Sequence, residues 1–227
     1  MIKGILFDFN GTLFFDSDMH VKAFQEHFAS VGKPVPSEEY ILIEIFGRNN
    51  RTIFLEQYNA NATDEEILAF SIEKEALYRE VCLRDPECLR LAKGAEEFLD
   101  FLKDNHIPFN MATGAPIANV EFYFKHLGLG RWFKLEDIVY DDGSIPGKPQ
   151  PDVWIEASGR IGLRPEECIV FEDSPSGIKS ANAANAGAVY AITPEGQISG
   201  VTAGAIVNGE ISDYTKFEDI LRQHQLV

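Results

Sequence analysis

Cysteine is scarce in this chain. It holds only Cys82, Cys88 and Cys168, and no two of them form a C-x-x-C pair. An odd count without that spacing signals neither a disulfide framework nor a zinc site, and the thiols read as reduced, as in the cytoplasm. Basic residues are also few. Lys and Arg number 20 against 36 Asp and Glu, for a formal net charge of -16. So acidic a surface repels nucleic acid and anionic lipid, which excludes both as partners. It also repels a phosphorylated ligand. Any phosphate site must therefore be made locally positive by a metal ion, a lysine or backbone N–H groups. No run of about 18 apolar residues occurs, so no transmembrane helix is expected. Neither an internal repeat nor a low-complexity tract is present. The apolar start, MIKGILFDFNGTLFF, is broken by Asp8 and Asn10 and lacks a small-residue cleavage site. It reads as a buried strand, not a signal peptide.

What remains is an ordinary globular composition over 227 residues, enough for one core or for a core with a smaller appended domain. Ile2 to Phe9 is a short β-rich run that stops at Asn10-Gly11, as a buried strand of a parallel sheet would. From Asp16 to about Arg84 the apolar spacing changes to three and four. It predicts helices over 18–32, 37–47, 50–58 and 63–84, an all-helical block. After Pro86 strands and helices alternate: strands near 107–113, 137–142, 168–173 and 188–193, a last short one over 203–209, and helices between and after them. Alternation of this kind means a doubly wound, Rossmann-like α/β core with helices on both faces. The first strand cannot stand alone and joins that sheet. Residues 1–15 and 86–227 then make the core, and 16–85 an inserted helical domain.

In open parallel sheets ligands bind beyond the carboxyl ends of the strands. The polar residues there are Asp8 and Asn10, then Thr113 with Gly114, then Glu172 and Asp173, with Lys148 in the proline-rich loop GKPQPD. A carboxylate closing a hydrophobic strand is costly unless paired or bound to metal, although a turn cap also suits a lone Asp8. Hard oxygen ligands at two strand ends suit Mg²⁺. Asp173 alone would serve as a helix N-cap, but that leaves the acidic Glu172 unexplained. A hydroxyl and N–H groups at Thr113 and Gly114, read as opening a helix, would form an anion site, and a plain N-cap is the other reading of Thr113. Lys148, held between prolines, can point at a fixed place, while a solvated loop lysine is the plainer alternative.

The ordered set DFNGTL, ATG, GKPQPD and FEDSPSGI resembles the haloacid dehalogenase superfamily of phosphatases and phosphomutases. It is similar in particular to the branch with a helical cap after the first motif, which includes β-phosphoglucomutase and phosphoglycolate phosphatase. The resemblance implies that Asp8 is a nucleophile forming an aspartyl-phosphate, a two-step route that suits phosphoryl transfer. It implies Mg²⁺ held by Asp8, the Asn10 carbonyl and Asp173, with Glu172 assisting through water, and a phosphate cradle of Thr113, Gly114 and Lys148. It also implies an enzyme with a small phosphorylated metabolite, such as a sugar phosphate, as its partner, in the cytoplasm that the reduced thiols suggest.

The chain departs from that pattern at Asn10, where the family places an aspartate that protonates the leaving group and then activates water. An amide cannot shuttle a proton, and such help is typically worth ~10²–10⁴-fold in rate. A slow enzyme, substrates with good leaving groups, an engineered residue, or a proton carried by His20 would each account for it. Asn10-Gly11 is also a deamidation-prone pair, which would regenerate aspartate. In the cap, His20 lies one turn from Phe24, and FGRNNR resembles a substrate loop in which Arg48 and Arg51 could read phosphate or sugar oxygens. Surface packing for His20, or solvated arginines at a helix start, are the alternatives. Phe14, Phe15, Phe24, Phe28 and Phe54 read as packing.

A Mg²⁺-dependent phosphatase leads these readings. A β-phosphoglucomutase-type mutase comes second, because Asn10 counts against it. A dehalogenase needs no metal and fits the Glu172–Asp173 pair badly. A phospholigand-binding or regulatory protein that has lost turnover is the non-enzymatic alternative.

Overall fold

The computed structural model describes residues 1–46, 48–195 and 206–227. The chain forms two compact units. One is Met1–Phe15 with Arg90–Val227, and the other is Asp16–Leu89.

Among the described residues the first unit holds a six-stranded parallel sheet in the order β3-β2-β1-β4-β5-β6. Its strands are β1 (Gly4–Phe7), β2 (Phe109–Pro116), β3 (Val139–Asp141), β4 (Cys168–Glu172), β5 (Ala188–Ile192) and β6 (Gly209–Ile211). β1, β4 and β5 are buried along their whole length, as continuous apolar runs covered on both faces must be. Phe7 stacks on Phe171 of the neighbouring strand at 5.3 Å and meets Phe98 edge-on at 5.5 Å. Phe98 lies on the helix Ala95–Asp104. The chain moves outward from β1 through β2 to β3, then returns to the other side of β1 as β4. This reversal is where ligand clefts form in such sheets. Register aligns Phe7 with Phe171, so Asp8 and Glu172 leave the sheet side by side.

The second unit is helical: α1 (Ser17–Ser30), α2 (Glu38–Tyr40) running into a π turn (Ile41–Ile45), α3 (Asn50–Gln57) and α4 (Asp64–Arg84). Val21, Phe24, Phe28, Ile41, Ile45, Ile53 and Phe70 make its core. Thr63 and Glu66 form a reciprocal capping box that starts α4.

The remaining helices of the first unit are α5 (Ala95–Asp104), α6 (Ile117–Leu127), α7 (Asp152–Arg160), α8 (Pro175–Ala183) and α9 (Phe217–Gln223). Three expectations shift. The helix expected over 37–47 is, among the described residues, split into α2 and the π turn, and residue 47 lies outside them. β2 continues through Pro116, so Thr113 and Gly114 lie within a strand and the helix opens only at Ile117. The last strand is β6, and 203–205 of the expected span lie outside the described residues. Among the described residues no helix is long and apolar enough to cross a membrane.

Candidate active site

Asp8 follows β1 directly. Its backbone N–H donates to the Phe171 carbonyl at 2.9 Å, which carries the sheet ladder one residue further. The carboxylate is buried, at 6 % exposure, and meets Lys148 Nζ at 2.5 Å. The same ammonium donates to Glu172 Oε2 at 2.6 Å. Lys148 thus bridges the ends of two adjacent strands, and its charge also lies 4.7 Å from the centre of the Trp154 ring. Burial acts to lower the Lys148 pKa, but the carboxylates of Asp8 and Glu172 outweigh it and hold it above the usual lysine range.

Three carboxylates, from Asp8, Glu172 and Asp173, bring oxygens within 4.8 Å of one another. Burial, then the charges of Glu172 and Asp8, push the Asp173 carboxyl well above the usual carboxylate range, against the pull of Lys148 and a 3.0 Å bond from Thr12 Oγ1. Two glycines leave room for this cluster. A Cβ on Gly11 would stand 2.1 Å from Asp173 Oδ2, and one on Gly177 would stand 2.0 Å from the Glu172 carboxyl. Gly11 also has φ +76°, open to glycine at little cost. Glu172 Oε1 accepts from the backbone N–H and hydroxyl of Ser174 at 2.9 and 2.8 Å, and Ser174 Oγ accepts from Gly177 N–H at the start of α8.

Such a group of converging acidic oxygens, fixed by backbone and lysine and crowded enough to raise a carboxyl pKa, fits a hard divalent cation. Asp8, Glu172 and Asp173 are the groups that could hold such a cation.

Asn10 stands next to this cluster in sequence. Its Nδ2 donates to the Tyr123 hydroxyl at 2.8 Å, and its Oδ1 accepts from Thr113 Oγ1 at 3.3 Å. Thr113 is buried and also accepts from Ala115 N–H at 3.1 Å, while Gly114 is exposed on the same strand. The Gly11 nitrogen, which attacks the amide in deamidation, is engaged in a 2.7 Å bond to the Phe14 carbonyl. That bond opposes the reaction.

The second unit holds the other three expected residues. His20 stacks flat on Tyr78 at 4.0 Å, and its Nε2 lies 3.2 Å from Asp16 Oδ2. Tyr78 donates a hydrogen bond to the same Asp16 carboxylate. Arg48 pairs with Glu56 and, at 3.5 Å, with Glu44; Arg51 pairs with Asp64 at 2.6 Å. Both arginines are thus satisfied by carboxylates of their own unit.

Sequence reasoning missed several supports. Tyr123, Trp154 and Tyr214 carry no sequence signal that sets them apart, and all three are fully buried. Burial first, then the charges of Asp8, Asp173 and Glu172, raise the Tyr214 phenol well above its ordinary value, so it stays neutral beneath them. In the second unit the buried Lys74–Glu75 ion pair, with Asn50 Nδ2 donating to Glu75 at 3.0 Å and to Ser71 Oγ at 2.9 Å, had no periodic signal.

Residues 2–185 match the family model of haloacid dehalogenase-like hydrolases. The chain is 30% identical over 188 residues to the fructose-1-phosphate phosphatase YqaB of Escherichia coli, covering 82% of this chain and 94% of that protein. It is 25% identical to a phosphorylated carbohydrates phosphatase of Thermotoga maritima, over 84% of this chain and 85% of the other. A solved hydrolase of family IA, variant 3, from Entamoeba histolytica superposes with a TM-score of 0.83 at 32% identity, over 94% of each chain. With Asp8, Lys148, Glu172 and Asp173 gathered at the sheet's reversal point, these matches show that the chain is an enzyme of the haloacid dehalogenase-like hydrolase family.

Proposed function

We propose that this enzyme is a Mg²⁺-dependent phosphatase that acts on a small phosphorylated metabolite through an aspartyl-phosphate on Asp8. The observation that carries the reading is the buried Asp8 carboxylate held by Lys148 Nζ at 2.5 Å beside Glu172 and Asp173. The named substrates of two relatives, fructose-1-phosphate and phosphorylated carbohydrates, support a sugar phosphate. The buried Cys82 and Cys168, whose thiols burial pushes up to about 12, are inert at neutral pH and suit a reducing cytoplasm.

The chain's own groups divide the work. A carboxylate oxygen of Asp8 attacks phosphorus. Lys148 orients that carboxylate and offers its charge to the incoming phosphate, and Thr113 offers a hydroxyl on the adjacent strand. Glu172, fixed by Ser174, keeps Lys148 in place. A bound magnesium ion would supply charge neutralisation for phosphate and carboxylates together. A mutase would need residue 10 to return a proton, and the Asn10 amide is committed to Tyr123 and Thr113.

The test is phosphate release from a panel of sugar phosphates with and without magnesium, comparing the protein with Asp8→Asn. Release that is slow, because Asn10 carries no proton, that needs magnesium and that disappears in Asp8→Asn is expected. Equal release from both proteins would refute the covalent route.

A further inference from the structure

The structure fixes what the Asn10 side chain does. Its NH₂ end is spent on the Tyr123 hydroxyl of α6 and its carbonyl end on Thr113 of β2. Tyr123 is itself immobilised, fully buried with its ring 4.5 Å from Phe9 and 6.1 Å from Phe14. The amide is a fixed structural tie. It neither gives nor takes a proton at neutral pH.

The two halves of phosphoryl transfer feel that loss differently. In the first half a leaving oxygen departs with the electron pair of the P–O bond. An alkoxide from a sugar monoester requires a proton as it leaves. A carboxylate or a phosphate is already a stable anion and requires none. In the second half water must lose a proton as its oxygen bonds to phosphorus, whatever the donor was.

We propose that Asp8 takes its phosphoryl group from donors whose leaving group departs as a stable anion, acyl phosphates and phosphoanhydrides, and then holds it as a long-lived aspartyl-phosphate. This rests on the reading of Asp8 as the nucleophile. With an acyl phosphate, the Asp8 carboxylate oxygen forms the new P–O bond, the bond to the acyl oxygen breaks, and a free carboxylate leaves with the electron pair. One carboxylate is consumed and one released, so charge balances without a proton. Discharge by water is the slow step, because residue 10 accepts no proton from it. The stored phosphoryl group passes more readily to an acceptor that brings its own base.

Acetyl phosphate with magnesium chloride is the probe, and intact mass reports the gain of one phosphoryl group, with lability to hydroxylamine marking an acyl phosphate. The expected result is a label on the protein that is absent from Asp8→Asn. It decays about 10²–10⁴-fold more slowly than on Asn10→Asp, the range that general base help is worth. Glucose-6-phosphate should label the protein far more slowly than acetyl phosphate. Equal decay on the protein and on Asn10→Asp overturns the inference, as it would if His20 supplied the base. Equal labelling by the two donors also overturns it. If Asn10→Asp releases phosphate while the unaltered protein never labels, the inference fails and the Asp8 reading stands. If no form labels and none releases phosphate, the Asp8 reading falls with it.

Discussion

At the scale of single residues the site is a balance of three carboxylates against one ammonium. Lys148 bridges Asp8 and Glu172 at 2.5 and 2.6 Å, and a bound cation would supply the positive charge still missing. Removing the lysine leaves buried carboxylates uncompensated, which typically costs 3–5 kcal/mol. Lys148→Met should therefore lower the melting temperature of the metal-free protein by several degrees. Magnesium should restore more of that loss than it adds to the unaltered protein, and melts with and without the metal check both statements. Gly177→Ala tests the opposite constraint, space. Its methyl would meet the Glu172 carboxyl at 2.0 Å, and overpacking of that kind typically costs 1–3 kcal/mol. A weaker magnesium titration midpoint with the fold retained is the expected outcome; an unchanged midpoint would mean that Glu172 does not need its present place. The carboxylates were legible in the sequence because charge at a strand end is anomalous, and Lys148 because prolines flank it in the loop GKPQPD. Tyr123, Trp154, Tyr214 and Gly177 were not, because each looks like ordinary core or turn until the third dimension shows what it touches.

At the scale of elements the fold was legible where burial on two faces leaves a continuous apolar run, as in β1, β4 and β5. It was least legible at boundaries. β2 carries Thr113 and Gly114 well inside the strand, because pairing with β3 reaches Pro116 opposite Asp141, and no local signal reports a partner's length. Any phosphate contact by Thr113 thus comes from a strand hydroxyl and not from a helix N-terminus. The helix α8 does present its N-terminus to the site, through Ser174. This residue caps Gly177 N–H and donates to Glu172 at once. Ser174→Ala should cost about 1 kcal/mol as a lost cap. Ser174→Asp, an equally good cap elsewhere, should here be worse than alanine in the metal-free protein, because it adds a carboxylate beside Glu172. Thermal unfolding of the two variants decides it. A stabilised Ser174→Asp would show that the cap outweighs the local charge.

At the scale of the whole molecule, a strongly acidic chain has inserted one helical unit between the first strand and the rest of a sheet, and each unit buries charge of its own. The apolar period changes at about Asp16, where the second unit begins. The charge buried in the helical unit was not legible, because Lys74 and Glu75, adjacent charges on α4, carry no sequence signal of burial. Both are nearly inaccessible, at 4 % and 6 %. Burial works to raise the Glu75 pKa, but Lys74, the nearby His20 and a bond from Asn50 lower it from 4.5 to about 2. A folded-state value below the unfolded one means stability that is fully present above pH 4.5 and is lost as pH falls toward 2. Lys74→Met removes the main compensating charge and should destabilise this unit by about 3–5 kcal/mol, whereas Lys74→Met with Glu75→Leu should recover most of it. The double variant should also lose less stability on acidification, since Glu75 no longer takes up a proton on unfolding. Trp132 and Trp154 both belong to the other unit, so tryptophan fluorescence would not report the change. Amide hydrogen exchange along α4 reads the unit directly, because its slowest protons exchange by the opening that the ion pair resists. Equal exchange in Lys74→Met and the unaltered protein would mean that the buried pair contributes nothing to holding this unit together.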